Sequence, residues 1–101
     1  MKPSHTKLFY MTVLALQRSK RENLNAMRLQ FTWKIGLMHS MRLFEELVSA
    51  GLVQSYDDKS RKFLQIPKVY REKVDNFVVP NEVKHKYNIT DDQINSVLIK
   101  K

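Results

Sequence analysis

The sequence predicts a mainly α-helical fold with one small β-hairpin. The segment Thr32–Gly51 carries an apolar stripe at helical period, formed by Leu37, Met38, Met41, Phe44 and Val48. Gly51 follows the last periodic residue and can take the left-handed conformation that ends a helix. Two short segments, Leu52–Tyr56 and Lys62–Ile66, then flank a charged turn at Asp57–Ser60, which is the pattern of a β-hairpin.

Length and composition indicate one globular domain. A chain of 101 residues has no room for a second independent core. Its hydrophobic content of 43% and charged content of 28% are ordinary for a globular protein. No apolar run approaches the roughly 20 residues of a membrane span. No signal-peptide pattern and no cysteine are present, so we expect a cytoplasmic protein without a membrane partner.

The charge balance favours a polyanionic partner. The formal net charge is +8 and the sequence pI is about 9.9. The excess of Lys and Arg over Asp and Glu is four in residues 1–23, two in residues 24–66 and two in residues 67–101. Because the charge is spread along the chain, a generally basic surface would explain it as well. Charge alone does not distinguish a nucleic-acid partner from a generally basic surface. The order of the predicted helices and strands is what favours the nucleic-acid partner.

The first predicted helix has two interpretations. The arm Lys2–Thr6 ends in possible caps at Ser4 or Thr6, and Leu8–Gln17 is apolar nearly all round. A helix that is hydrophobic on every side must be covered on every side. It is therefore either the central helix of a compact monomer or a helix with one flank packed against a second copy of the protein.

A basic connection and a short helix come next. The connection Arg18–Asn23 contains Lys20 and Arg21, cations that gain from contact with a nucleic-acid backbone. Leu24–Phe31 then predicts the first helix of a helix-turn-helix, with three residues facing inward: Leu24, Met27 and Phe31.

This order of elements resembles the winged helix-turn-helix family of DNA-binding proteins. The likeness is carried by Phe44–Val53, where the helix ends in Gly-Leu-Val, and by Asp57–Lys62. The acidic-then-basic turn is similar to the wing of multiple-antibiotic-resistance-type regulators. The resemblance covers Leu24–Ile66 well and Leu8–Arg18 loosely. It implies a winged-helix DNA-binding domain over residues 1–77, followed by a C-terminal helical extension, residues 78–101, whose expected role is dimerisation.

The last third of the sequence predicts three helices. Pro67 ends the second strand and opens a helix over Pro67–Phe77. A second, short helix is expected over Asn81–Tyr87. Thr90–Gln93 matches a capping box, and the helix that it starts has an apolar face made of Ile94, Val97 and Leu98.

The resemblance also implies where DNA would bind. In this family the recognition helix enters the major groove and reads base edges with residues near its N-terminus, here Thr32, Lys34, His39, Ser40 and Arg42. Arg42 is the residue suited to a bidentate contact with guanine. The wing would contact the backbone through Lys59, Arg61 and Lys62, and the basic connection through Lys20 and Arg21. Trp33 is interpreted as a core or interface anchor in preference to a base-stacking residue.

Catalysis has little support in the sequence. The three histidines lack the spacing of a metal site, and two glycines are too few for a phosphate-binding glycine loop. The acidic pairs Asp57–Asp58 and Asp91–Asp92 fall in a turn and a helix cap. We therefore expect no enzyme, no metal and no cofactor.

The function predicted from these features is sequence-specific binding of double-stranded DNA. The expected role is that of a transcriptional regulator acting as a homodimer through the N-terminal and C-terminal helices, nucleoid-associated if the source is prokaryotic. Two alternatives stay open. One is a winged helix used as a protein–protein interaction module, and the other is a DNA-organising factor in replication or partition.

Overall fold

Six α-helices carry the fold in the computed structural model, which describes residues 5–57 and 65–97. Within these residues the protein is a small all-α globule. In chain order the helices are α1 (Lys7–Ser19), α2 (Ala26–Trp33), α3 (Leu37–Ser49), α4 (Arg71–Asp75), α5 (Asn81–Tyr87) and α6 (Asp91–Asn95).

Helix α1 lies at the centre of the globule. It begins after Thr6, whose hydroxyl accepts a hydrogen bond from the Phe9 N–H, so the predicted Thr6 cap is confirmed. The eight residues from Phe9 to Leu16 are all buried, and α3, α4 and α6 pack on the helix. The chain therefore covers α1 by itself, as the monomer interpretation requires. A homodimer stays a prediction, but it can no longer be argued from an uncovered flank of α1.

Helices α2 and α3 bury faces that differ in part from those predicted. Helix α2 buries Ala26 and Leu29, whereas Met27 and Phe31 face solvent, so their inward placement was wrong. The predicted stripe on α3 was right for Phe44, which is buried, and for Met41 and Val48, which pack against the core, but wrong for Leu37 and Met38, which are exposed. The other buried residues of α3 are Ser40, Leu43 and Leu47. Leu43 and Leu47 are one helical turn apart. With Phe44 they form the apolar face of α3 that is buried. The α3 stripe prediction left out both leucines.

The predicted β-hairpin wing is not seen, and the winged-helix fold class is corrected accordingly. No strand occurs in the described residues, which carry two isolated antiparallel bridges, Asn23 with Lys68 and Val53 with Val69. Burial explains why Val53 pairs with Val69, beyond the predicted second strand. Val69 is fully buried, while Ile66 is 69% exposed, so pairing at Val69 removes more apolar surface from water. Residues 58–64 lie outside the described part.

The C-terminal helices share the core of α1. The helix predicted over Pro67–Phe77 shortens to the five residues of α4. The predicted capping box is confirmed, with the Thr90 side chain accepting from the Gln93 N–H and the Gln93 side chain accepting from the Thr90 N–H. Ile94 of α6 is fully buried. One core cluster thus contains residues from both sides of the predicted boundary after residue 77, among them Val74, Val79, Val83, Ile89 and Ile94.

Candidate nucleic-acid interface

The residues predicted to read bases belong to two helices. Thr32 is half-buried within α2, and Lys34 ends α2 as an exposed cap residue with φ of 54°. Helix α3 begins only at Leu37, after the N-cap Gly36, whose position has open space around it. The candidate interface therefore consists of the end of α2, the connection through Gly36 and the first half of α3.

The outward face of α3 follows one line along the helix. Met38, Arg42, Glu45 and Ser49 are spaced four, three and four residues apart, and all are exposed. His39 is exposed beside this line. Ser40, in contrast, has no exposed surface, and its hydroxyl donates to the Leu37 carbonyl at 2.7 Å. We therefore remove Ser40 from the residues available to a ligand.

Glu46 is held by the start of α1. Its carboxylate accepts hydrogen bonds from the Thr6 backbone N–H at 2.9 Å and from the Thr6 hydroxyl at 2.8 Å. The His5 Nδ1 atom lies 3.2 Å from the same carboxylate. These contacts turn Glu46 toward α1, which matters because a free carboxylate on the outward face would repel phosphate groups. Glu45 keeps its exposed position in the second half of α3.

The stretch from Asn23 to Phe44 contains no acidic residue. It spans all of α2 and the first half of α3, and its cations are Arg28, Lys34 and Arg42. In the described ranges none of these three makes an ion pair with a carboxylate. Their charge is therefore not neutralised locally.

The C-terminal part of the protein differs in this respect. Residues 65–97 hold five Lys and Arg against five Asp and Glu. Among these carboxylates, Asp91 binds Arg18 at 2.5 Å and Asp75 binds Arg71 at 2.7 Å. The contrast makes the α2–α3 region the more electropositive side of the sequence.

The basic connection before α2 is more constrained than predicted. Lys20 ends α1 and lies 3.7 Å from the Asp75 carboxylate, so part of its charge is compensated. Arg21 is half-buried, and its Nε donates to the Asn23 carbonyl. Burial and, to a smaller extent, the nearby guanidinium of Arg28 lower the pKa of Arg21. The guanidinium groups of Arg21 and Arg28 are therefore near enough to influence each other's charge.

Sequence reasoning missed Arg28. It was overlooked because Leu24, Met27 and Phe31 were placed inside, and at helical period Arg28 lies beside that face. The spacing of Ala26, Leu29 and Trp33 is the signal that would have found it, since these residues mark the opposite side of the helix.

Three predicted contacts cannot be located. Lys59, Arg61 and Lys62 lie outside the described residues. The prediction that they contact the nucleic-acid backbone therefore remains a prediction.

Trp33 lies on the side of α2 that faces the core. Its indole Nε1 donates to the hydroxyl of the buried Thr12 at 3.0 Å. The ring is half-buried and packs against the core cluster. This agrees with the interpretation of Trp33 as an anchor.

The described residues contain neither a metal-binding cluster nor a membrane-spanning helix. No group of three His, Asp or Glu side chains in residues 5–57 and 65–97 could hold a metal ion. No helix in the same ranges is long and apolar enough to cross a membrane.

Fold and surface together define a small all-α protein in which α2 and the first half of α3 carry no acidic residue. Comparison with known protein families, with curated proteins and with solved structures gives no match, and so lends the winged-helix resemblance no support.

Proposed function

We propose that this protein binds double-stranded DNA, with the first half of α3 in the major groove. The observation that carries the proposal is the stretch from Asn23 to Phe44, which has cations and no acid. Phosphate contacts supply most of the affinity of a DNA-binding protein, and they require cations that no carboxylate neutralises. Arg28, Lys34 and Arg42 meet that requirement in the described residues.

The outward face of α3 has the side chains for base recognition. Arg42 can donate two hydrogen bonds to guanine, and Met38 can contact a thymine methyl group. His39 and Thr32 complete the predicted reading set. Lys34, at the end of α2, and Arg21, before it, are assigned to phosphate groups. Glu45 restricts the contact to the first half of the helix because it would repel the backbone.

The biological role follows as part of the same proposal. We assign sequence-specific regulation of transcription, with two copies on one site, and a location in the cytoplasm or nucleoid where the DNA is. A DNA-organising role in replication or partition would use the same surface. Selection of bound sites from a random duplex pool distinguishes the two, because a regulator enriches a defined sequence and an organising factor enriches little.

The primary test is fluorescence anisotropy with a labelled duplex at increasing salt. We expect affinity to fall at least tenfold between about 50 and 200 mM salt, since counterions are released from several phosphates. Removal of Lys34 should lower affinity, whereas Lys86→Ala, a matched loss of charge on α5, should have little effect. Affinity that does not respond to salt would overturn the proposal.

A protein–protein interaction module is the second candidate function. The observation that favours it is the exposed apolar face of α2, where Phe31 is 71% exposed. Such a side chain adds nothing to a phosphate contact. A protein that binds no duplex at low salt, yet binds a peptide through Phe31, would perform this function alone.

A further inference from the structure

The outward face of α2 is apolar at its centre and basic at its border. We call it the α2 face and define it by Met27, Arg28, Phe31 and Lys34. Met27 and Phe31 lie one turn apart, so their side chains are neighbours on the helix. Phe31 is 71% exposed and Met27 is 37% exposed. The described part of the chain thus leaves a large aromatic ring in water, and covering it would be favourable.

Cations lie one turn away from the ring in both directions. Arg28 precedes Phe31 by three residues and Lys34 follows it by three. In the described ranges neither pairs with a carboxylate. A ligand that fits this face must therefore be apolar in its middle and negative at its edges.

We propose that the α2 face docks an acidic amphipathic helix of a partner protein. Its apolar side chains would cover Phe31 and Met27, and its carboxylates would pair with Arg28 and Lys34. Aromatic, Met and Arg side chains are enriched at the centres of protein interfaces, and a helix recognised in this way presents anchors three or four residues apart.

Charge complementarity selects this occupant over the alternatives. A DNA backbone would satisfy Arg28 and Lys34 but leave Phe31 uncovered. A purely apolar partner would leave both cations without a counter-charge. The face is distinct from the outward line of α3, but its cations Arg28 and Lys34 are also among those proposed to contact phosphate groups. Phe31 has no part in the DNA-binding proposal, so a test based on Phe31 lets either proposal fail alone.

The test uses the full chain and a designed peptide. The probe is a helical peptide with Leu and Phe one turn apart and Glu on both flanks, and its control is a scrambled peptide of equal composition. Binding is measured by anisotropy and mapped by amide chemical shifts in a ¹⁵N-labelled protein. We expect shifts centred on residues 26–34 and at least tenfold weaker binding of the scrambled peptide.

Substitution of the ring completes the test. Phe31→Ser should weaken the peptide at least tenfold, with unchanged circular dichroism and unchanged duplex affinity. Val78→Ser is the matched control, because Val78 is 78% exposed and lies outside the α2 face. Equal binding of both peptides, or indifference to Phe31→Ser, would overturn the proposal. So would a loss of duplex affinity in Phe31→Ser, or a dimer of the protein that this substitution dissociates, since each assigns the face to another occupant.

Discussion

The indole of Trp33 donates a hydrogen bond to the hydroxyl of Thr12, with 3.0 Å between Nε1 and Oγ1. Thr12 is fully buried and donates in turn to the Leu8 carbonyl at 2.7 Å. This chain of two hydrogen bonds joins the end of α2 to the middle of α1. It sets the position of α2, and therefore the direction in which the connection to α3 leaves it.

Thr12→Val should destabilise the fold by about 1–3 kcal/mol, because the Trp33 N–H loses its acceptor in a site with little water. The shape of the side chain is nearly unchanged, so packing contributes little to the loss. Urea unfolding measures the difference. Thr32→Val is the control, since Thr32 is half-buried with no such bond, and a change within about 0.5 kcal/mol is expected there. Equal losses in both variants would contradict the assigned role.

Tyr56 provides a similar acceptor for α2. Its hydroxyl accepts from the N–H of the buried Ala26 at 2.7 Å, and its ring stacks on Phe44 with centroids 4.5 Å apart. Burial raises the pKa of Tyr56 above its ordinary value of 10.0, and the Ala26 N–H opposes this shift.

Tyr56→Phe should therefore cost about 1–3 kcal/mol at neutral pH, because the Ala26 N–H loses its partner. The pH dependence has a different cause, because burial of the hydroxyl raises the pKa and disfavours the ionised side chain in the folded state. The stability that this gives is complete below pH 10.0 and declines as the pH rises through the higher pKa of the folded state. The variant should lose less of its stability above that pH than the wild type. Tyr70→Phe is the control, because it removes the hydroxyl of an exposed tyrosine. If wild type, Tyr56→Phe and Tyr70→Phe all lose the same stability at alkaline pH, the loss does not come from Tyr56.

The sequence predicted local features, such as helix caps, better than it predicted which face of each helix is buried. The Thr6 cap, the Thr90–Gln93 capping box and the left-handed Gly51 at φ 78° were all predictable, because each depends on a few adjacent residues. The buried side of α3 was not. Apolar residues cover more than half of that helix, and a polar residue, Ser40, lies inside because its hydroxyl bonds to its own helix.

The backbone pairing between Val53 and Val69, on the far side of Pro67, could also not be predicted from adjacent residues. The predicted second strand ended at Ile66, which is 69% exposed, whereas Val53 pairs with Val69, which is fully buried. The same limit applies to the residues of the candidate site. Arg42 and His39 were placed at the surface correctly, while Arg28 was missed and Ser40 was wrong, because both depended on the rotation of a helix.

The pair between Arg18 and Asp91 should make stability fall in acid. The hydrogen bond and the charge of Arg18 lower the pKa of the exposed Asp91 below its ordinary value of 3.8. A lowered pKa gives stability that is present above pH 3.8 and is lost as the pH falls through the folded-state value.

Arg18→Gln should flatten that acid dependence, as measured by urea midpoints over a pH series. Asp92→Asn is the matched control, because no cation lies within ion-pair distance of Asp92 in the described part of the chain. The same acid slope in wild type and Arg18→Gln would show that the pair has no such role.

Arg42 and Lys34 should differ in what their removal does to DNA binding. Arg42→Ala should lower affinity for a selected site by about 1–3 kcal/mol and relax the base preference at one position. Lys34→Ala should weaken all duplexes alike and reduce the salt dependence. Competition anisotropy with single-base variants of the site separates the two effects. If Arg42→Ala retains the full sequence preference, α3 does not read the groove through this residue.

The protein should bind a palindromic site as two copies. Two-fold pairing would place two α3 helices about 34–36 Å apart, one turn of DNA, and so extend the few base pairs that one helix reads. Removal of the chain after Asn88 does not test this, because it deletes the core residues Ile89 and Ile94. Within the described residues, Val97, two residues after α6, is an apolar side chain that is left half-exposed.

The dimer is therefore tested on the full chain by sedimentation, with and without a palindromic duplex. We expect two copies per duplex in the wild type and one in Val97→Asp, because a carboxylate cannot be buried in an apolar interface without a large cost. Val78→Asp is the control, since it places the same charge at a more exposed valine. One copy per duplex in the wild type at every half-site spacing would refute the two-fold arrangement. Retention of the dimer in Val97→Asp would exclude Val97 from the interface.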